Sequence, residues 1–156
     1  MTTRRTPVPI LMADDDPDDR LLARDALAEA CVANELCFVE DGEELLEYLH
    51  GDGRWAPPAR PLRPGLILLD LNMPRKDGRE ALREIKADPG LRRIPVVVLT
   101  TSRDEEDVLR CYDLGASSYI TKPVTFHGLV SAMTVLGRYW FEIVNLPRAG
   151  EDADAR

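Results

Sequence analysis

The sequence predicts a doubly wound α/β domain built on a five-stranded parallel sheet, with an extended C-terminal helix. Three observations carry that prediction. Short apolar runs at Val8–Ala13, Leu66–Leu69 and Val96–Leu99 lack polar alternation, as strands covered on both faces require. Between such runs, apolar residues recur every three or four positions, the spacing of a helix packed on a sheet. Three of these runs end on Asp14, Asp70 and Thr100, and ligands bind at the carboxyl ends of strands in an open parallel sheet.

The first strand, broken by Pro9, runs into five aspartates in six positions, Asp14 to Asp19. Asp16 suits a helix N-cap, Pro17 the first helical position, and Asp18 and Asp19 the positive end of the helix dipole. Asp14 and Asp15 precede the cap, where the helix has no use for them. The first helix is expected from Pro17 to Cys31, burying Leu21, Leu22, Ala26, Leu27 and Ala30. Glu35–Val39 is the second strand, and Asp41-Gly42 turns into a helix carrying Leu45, Leu46 and Leu49. Residues 50–65 hold four prolines and three glycines, an irregular loop that Trp55 could pin to the surface.

The third strand, Leu66 to Asp70, is followed by a turn through Asn72, Pro74 and Gly78. A third helix, Gly78 to Ala87, uses Ala81, Leu82 and Ile85, and stops at Asp88-Pro89-Gly90. Pro95 opens the fourth strand, which ends at Thr100-Thr101-Ser102. A fourth helix carries Val108, Leu109, Tyr112 and Leu114 and closes on Gly115. Ser118–Thr121 is the fifth strand, ended by Lys122-Pro123, and the last helix runs from Phe126 to Val144.

At 156 residues the chain is expected to form one domain over residues 8–147, between a flexible start (1–7) and a disordered tail (148–156). The net charge of −8 argues against nucleic acid or an anionic membrane as partner, since both need clustered Lys and Arg. No apolar run approaches the roughly 20 residues that span a bilayer. Cys31, Cys37 and Cys111 have neither zinc nor redox spacing, so they read as thiols in a reducing, cytoplasmic setting. His50 and His127 lack ligating partners at metal spacing and read as surface or satisfied histidines.

With strand order 2-1-3-4-5, the switch point falls between strands one and three. Asp14, Asp15 and Asp70 then share one crevice. Three carboxylates that close repel one another unless a cation compensates, and a hard divalent ion, Mg²⁺ or Mn²⁺, matches oxygen ligands and reaches for phosphate. Lys122 supplies a point charge and Thr100 a hydroxyl. Such a pocket would add a phosphoryl group to a carboxylate, with Asp70 as nucleophile.

The Asp14-Asp15 pair, Leu69-Asp70-Leu71-Asn72-Met73-Pro74 with Asp77-Gly78, Leu99-Thr100, Gly115 to Tyr119 and Lys122-Pro123 together resemble the CheY-like receiver domain of two-component response regulators. The resemblance covers residues 8 to 135. It implies a flavodoxin-like winding, Asp70 as phosphoacceptor for a sensor histidine kinase, and Mg²⁺ held directly by Asp15 and Asp70. Asp14 would act through water, and the Asn72 backbone carbonyl would complete the protein ligands. It also implies a Thr100–Tyr119 switch pair and a cis Lys122–Pro123 bond. Thr101 stands where many receivers have alanine, and Ser102 where acidic or amide residues can position a hydrolytic water, so the phosphoryl lifetime stays open.

The last helix carries more apolar surface than one sheet can cover. Phe126, Leu129, Val130, Met133, Leu136, Trp140 and Val144 form one face, and Ala132, Val135, Tyr139 and Ile143 a second flank. Val135, Tyr139, Trp140 and Ile143 are the expected interface residues, in a homodimer made through helix four, strand five and helix five or in a contact with the kinase; the alternative is packing beneath the 51–65 loop. The ending from Tyr139 to Pro147, with the Pro-rich loop, resembles stand-alone response regulators partnered with phytochrome-type kinases. Two rival functions are a Mg²⁺-dependent aspartyl-phosphate phosphatase or phosphotransferase, and a scaffold that is never phosphorylated. The first needs a second acid where Asn72 stands; the second tends to lose residues that this chain keeps.

Overall fold

The computed structural model describes residues 8–143 and 145–147, with Ile143 described by its backbone alone. Five strands, β1 (Ile10–Ala13), β2 (Leu36–Val39), β3 (Leu66–Leu69), β4 (Val96–Thr100) and β5 (Ser118–Thr121), alternate with α1 (Pro17–Glu29), α2 (Gly42–His50), α3 (Gly78–Ala87), α4 (Glu105–Asp113) and α5 (Phe126–Gly137). All pairings are parallel, in the order β2-β1-β3-β4-β5. The expected ends at residues 1–7 and 148–156, and Val144, lie outside the described residues.

Successive strand side chains point to opposite faces, and this period splits the interior in two. Leu11, Ala13, Ile67, Leu69, Val96 and Val98 face one layer with Leu45, Leu82 and Ile85 from α2 and α3 and Cys111 from α4. Ile10, Met12, Leu66, Leu68, Val97 and Leu99 face the other, with Ala23, Ala26 and Leu27 of α1 and Leu129, Met133 and Leu136 of α5. Each fully buried Leu, Ile or Val in these layers contributes about 1.5–3 kcal/mol of transfer free energy.

Each α-helix starts on a side-chain cap: Asp16, Asp41, Asp77, Asp104 and Thr125 accept from a backbone N–H two or three residues ahead. Each cap stabilises its helix by roughly 1 kcal/mol. Asp41 is itself buried and also pairs with Arg75 at 2.9 Å.

The structure corrects several sequence expectations. Helix α1 stops at Glu29, because Cys31 takes a left-handed φ of 59°. It buries Ala23, Ala26 and Leu27 and leaves Leu21 and Leu22 exposed. Small residues at that spacing bring α1 close to the sheet, which rotates the leucines outward. Leu109 and Tyr112 of α4 are also exposed, and Cys111 is the residue this helix buries. The last helix passes from α to π geometry at Arg138–Ile143. Among the described residues the cis bond is Pro57–Pro58, so the expected cis Lys122–Pro123 bond is trans. The chain leaves β5 by a Lys122 N–H bond to the Thr100 carbonyl (2.7 Å) and enters α5 on the Thr125 cap.

Trp55 does pin the 50–65 loop. Its ring meets Tyr48 edge-on at 4.7 Å, and the Tyr48 hydroxyl donates to the Leu62 carbonyl at 2.8 Å. Both rings belong to the α2–α3 layer, whereas α5 packs in the other. The second flank of α5 is therefore not covered by that loop.

Candidate functional site

The site is assembled by strand ends. Asp14 and Asp15 follow β1, Asp70 follows β3, Thr100 is the last residue of β4, and Lys122 follows β5. The pairing of β1 with β3 fixes the first contact, the Asp70 N–H donating to the Ala13 carbonyl at 3.0 Å. Oxygens of Asp14, Asp15 and Asp70 all lie within 4.8 Å of one another, a spacing that could hold a metal ion. Asp14 and Asp70 are buried and Asp15 is exposed, so the cluster opens to solvent on one side.

Lys122 enters from the far side of the crevice. Its Nζ is 2.7 Å from Asp14 Oδ2, 2.9 Å from Asp19 Oδ2 and 3.6 Å from Asp70 Oδ2. Burial works to lower its pKa, but the bonds to Asp14 and Asp19 and the charge of Asp70 outweigh this and raise it. The ammonium is thus firmly protonated. Asp14 is shifted up, chiefly by burial, against the opposing bonds from Lys122 and the Asp16 N–H; the charge of Asp70 adds to the rise. A cation at the cluster would lower it again.

The Thr100 hydroxyl is fully buried and has no hydrogen-bond partner among the described residues. Buried hydroxyls are nearly always bonded, and leaving one unpaired costs about 1–3 kcal/mol. An oxygen-rich group on Asp70 would give it an acceptor. Tyr119, half-buried on β5, donates its hydroxyl to the Ser102 carbonyl at 2.9 Å, and burial raises its pKa. Asn72 lies exposed in the β3–α3 turn. That turn is tight: the Gly78 N–H bonds to the Leu71 carbonyl at 2.8 Å, and a Cβ on Gly78 would collide with the Asp70 carbonyl.

The arrangement and the sequence of strand-end residues place the chain in a family. The family model for the response regulator receiver domain matches residues 10–134. The chain belongs to the response regulator receiver family. Within it, the chain is 41% identical over 143 residues to response regulator Rcp1 of Synechocystis sp. (strain ATCC 27184 / PCC 6803 / Kazusa), spanning 92% of this chain and 95% of Rcp1. The crystal structure of the Mn²⁺-bound form of Rcp1 superposes with a TM-score of 0.81, covering 91% of this chain and all of that one. The phosphorylated cyanobacterial phytochrome response regulator RcpA is 43% identical, with a TM-score of 0.83 over 92% of this receiver and all of RcpA. The bacteriophytochrome response regulator RtBRR is 37% identical, with a TM-score of 0.72 over 97% of this chain and 90% of its own. The receiver fold and the sheet order expected from sequence are those observed, and this is a signalling protein of the response regulator type.

The structure brings Asp14, Asp15, Asp70 and Lys122 together. Asp19 is a residue that the sequence reading missed. The dipole of α1 suffices to explain an acid there, yet Asp19 is the second carboxylate bonded to Lys122. The available signal was the surplus of acids around a single cap. The expected interface residues Val135 and Tyr139 are exposed and Trp140 is half-buried. With Ile120, Ala132 and Leu136 they line an apolar cleft of about 570 Å³; the side chain of Ile143 lies outside the described residues. His50 is paired with Asp88 at 2.9 Å. Among the described residues no helix is long and apolar enough to cross a membrane.

Proposed function

We propose that this receiver is a phosphorylation-switched, cytoplasmic response regulator whose Asp70 accepts a phosphoryl group from a sensor histidine kinase of the phytochrome type. The observation that carries this reading is the convergence on Asp70 of two further carboxylates and one ammonium. Asp15 and Asp70 would hold Mg²⁺ or Mn²⁺ directly, Asp14 through water, and the Asn72 carbonyl would complete the protein ligands. The ion would neutralise charge on the transferring oxygens.

In the transfer, one Asp70 carboxylate oxygen attacks phosphorus and forms the new P–O bond as the P–N bond of the donor phosphohistidine breaks. The electron pair leaves with the imidazole nitrogen, which takes a proton. Lys122 holds positive charge beside the incoming oxygens, and Asp19 keeps that ammonium in place. Thr100 then donates its unpaired hydroxyl to the product, and Tyr119 follows as its partner in the switch. Asn72 offers no acid for the leaving group of a phosphate ester, which favours a signalling role over turnover of such esters.

Two surfaces fit partners. Leu21, Leu22, Val124 and Phe126 are large exposed apolar residues, and Leu22 shares a small cleft with Lys122 and Pro123. A kinase helix docked there would deliver its phosphohistidine beside the lysine. The β5–α5 cleft suits a second copy of this chain, in a two-fold arrangement that places the same patch on both sides. The relatives described as phytochrome and bacteriophytochrome response regulators support the kinase type.

The deciding experiment is incubation with Mg²⁺ and acetyl phosphate followed by intact mass. One added phosphoryl group on the wild type, and none on Asp70→Asn, is the expected result. Labelling that persists in Asp70→Asn would refute the assignment.

A further inference from the structure

One polar cluster lies outside the phosphoryl pocket and joins three elements. Asp107 of α4 accepts at Oδ1 from Arg79 of α3, at 2.8 Å from Nε and 2.7 Å from Nη2. Its other oxygen, Oδ2, accepts from the Ser102 hydroxyl at 2.7 Å. The Ser102 carbonyl in turn receives the Tyr119 hydroxyl. The Arg79 and Asp107 side chains are only 19% and 18% exposed, so salt screens this pair less than a surface pair. Burial opposes the charge on both, yet Arg79 is shifted up by Asp107, and Asp107 is shifted down, first by Ser102 and then by Arg79.

Both ends of the cluster are tied to the phosphoryl site. Arg79 directly follows Gly78, which packs against the Asp70 carbonyl with no space for a Cβ. The backbone at that end is thus packed directly on the backbone of Asp70. Ser102 lies two residues beyond Thr100 on the same exit from β4. Any shift of Thr100 toward Asp70 therefore pulls on Ser102, and through it on an Asp107 anchored to α3.

We propose that Arg79 and Asp107 are positioning residues forming a strut between α3 and α4, which sets how readily the β4–α4 loop yields when Asp70 is phosphorylated. This rests on Asp70 being the acceptor. The strut is made together with an unbonded Thr100 hydroxyl and holds Ser102 in that arrangement, so it opposes any shift of Thr100 toward Asp70. By linkage, weakening it makes the shifted arrangement more accessible and favours phosphoryl uptake.

The test is a time course of labelling of the full chain with acetyl phosphate and Mg²⁺, read by intact mass. Because labelling through the shifted arrangement scales with its population, Arg79→Ala and Asp107→Asn should each label about five-fold faster than the wild type. The double variant should label no faster than either single one, since all break one interaction. Arg79→Lys, keeping the charge but losing the forked geometry, should fall between wild type and Arg79→Ala. A purely structural role predicts slower labelling. Unchanged or slower labelling in variants that keep the wild-type circular dichroism overturns the strut. Should the charge variants fail to fold, Ser102→Ala breaks the same chain without altering charge and decides by the same criterion. If the wild type takes up no phosphoryl group, the Asp70 reading fails, and amide exchange over residues 100–108 tests the strut alone. Faster exchange in Arg79→Ala supports it, and unchanged exchange overturns it.

Discussion

The Lys122 ammonium lies 2.7 Å from Asp14 Oδ2, a carboxylate with no exposed surface. Lys122→Met leaves that buried acid without its cation, at a cost of roughly 3 kcal/mol. The raised Lys122 pKa fixes the pH dependence. The native state holds this proton more tightly than the unfolded chain, so the contribution is complete below about 10.5 and lost as pH rises through the folded value. Urea unfolding should show a constant gap between wild type and variant from about pH 7 to 10, closing at more alkaline pH. A gap that widens there would contradict the pairing.

Thr100→Val should separate stability from signalling. The valine replaces a buried, unpaired hydroxyl with a methyl group of similar size, so the resting protein is expected to be as stable or about 1 kcal/mol more stable. The phosphorylated protein loses a hydrogen-bond donor. Thermal unfolding should therefore show an unchanged or higher Tm, while any response of oligomeric state to phosphorylation weakens.

Divalent cations should stabilise the fold by relieving repulsion among Asp14, Asp15 and Asp70. At about 100 times its Kd, Mg²⁺ or Mn²⁺ would add roughly 2.7 kcal/mol. Asp15→Asn, at the exposed member, should remove most of that gain and leave metal-free stability close to the wild type. Thermal shift with and without EDTA measures both.

The β5–α5 cleft predicts an oligomer sensitive to charge. Val135 is 66% exposed and Tyr139 50%, so Val135→Glu should leave the monomer folded but bury a charge in any contact made there. Sedimentation should show a weaker dimer by at least ten-fold, corresponding to about 1.4 kcal/mol. An unchanged dimer would place the contact elsewhere.

Most of the fold was legible because the three central strands are apolar at every position except Thr100 at the end of β4. Such runs have only one good setting, between two layers of helices. The site was legible for a related reason: Asp14, Asp70, Thr100 and Lys122 each sit where an apolar run stops, and parallel strands bring those stops to one edge. The face of α1 was not legible, because Ala23 and Ala26 bury fully while larger leucines beside them do not; closeness of packing outweighed size. Asp19 was hidden by a sufficient local explanation. The Arg79–Asp107 contact joins residues 28 positions apart, and no periodic pattern connects them.

Strand parity has one more consequence. Thr100 shares its side of the sheet with Val96 and Val98, whose neighbours are α3 and α4, while Val97 and Leu99 answer to α1 and α5. A pull on Thr100 is therefore felt first on the flank away from Leu21 and Leu22. Inserting a single residue into β4 would turn Thr100 to the α1–α5 flank and exchange the two sides.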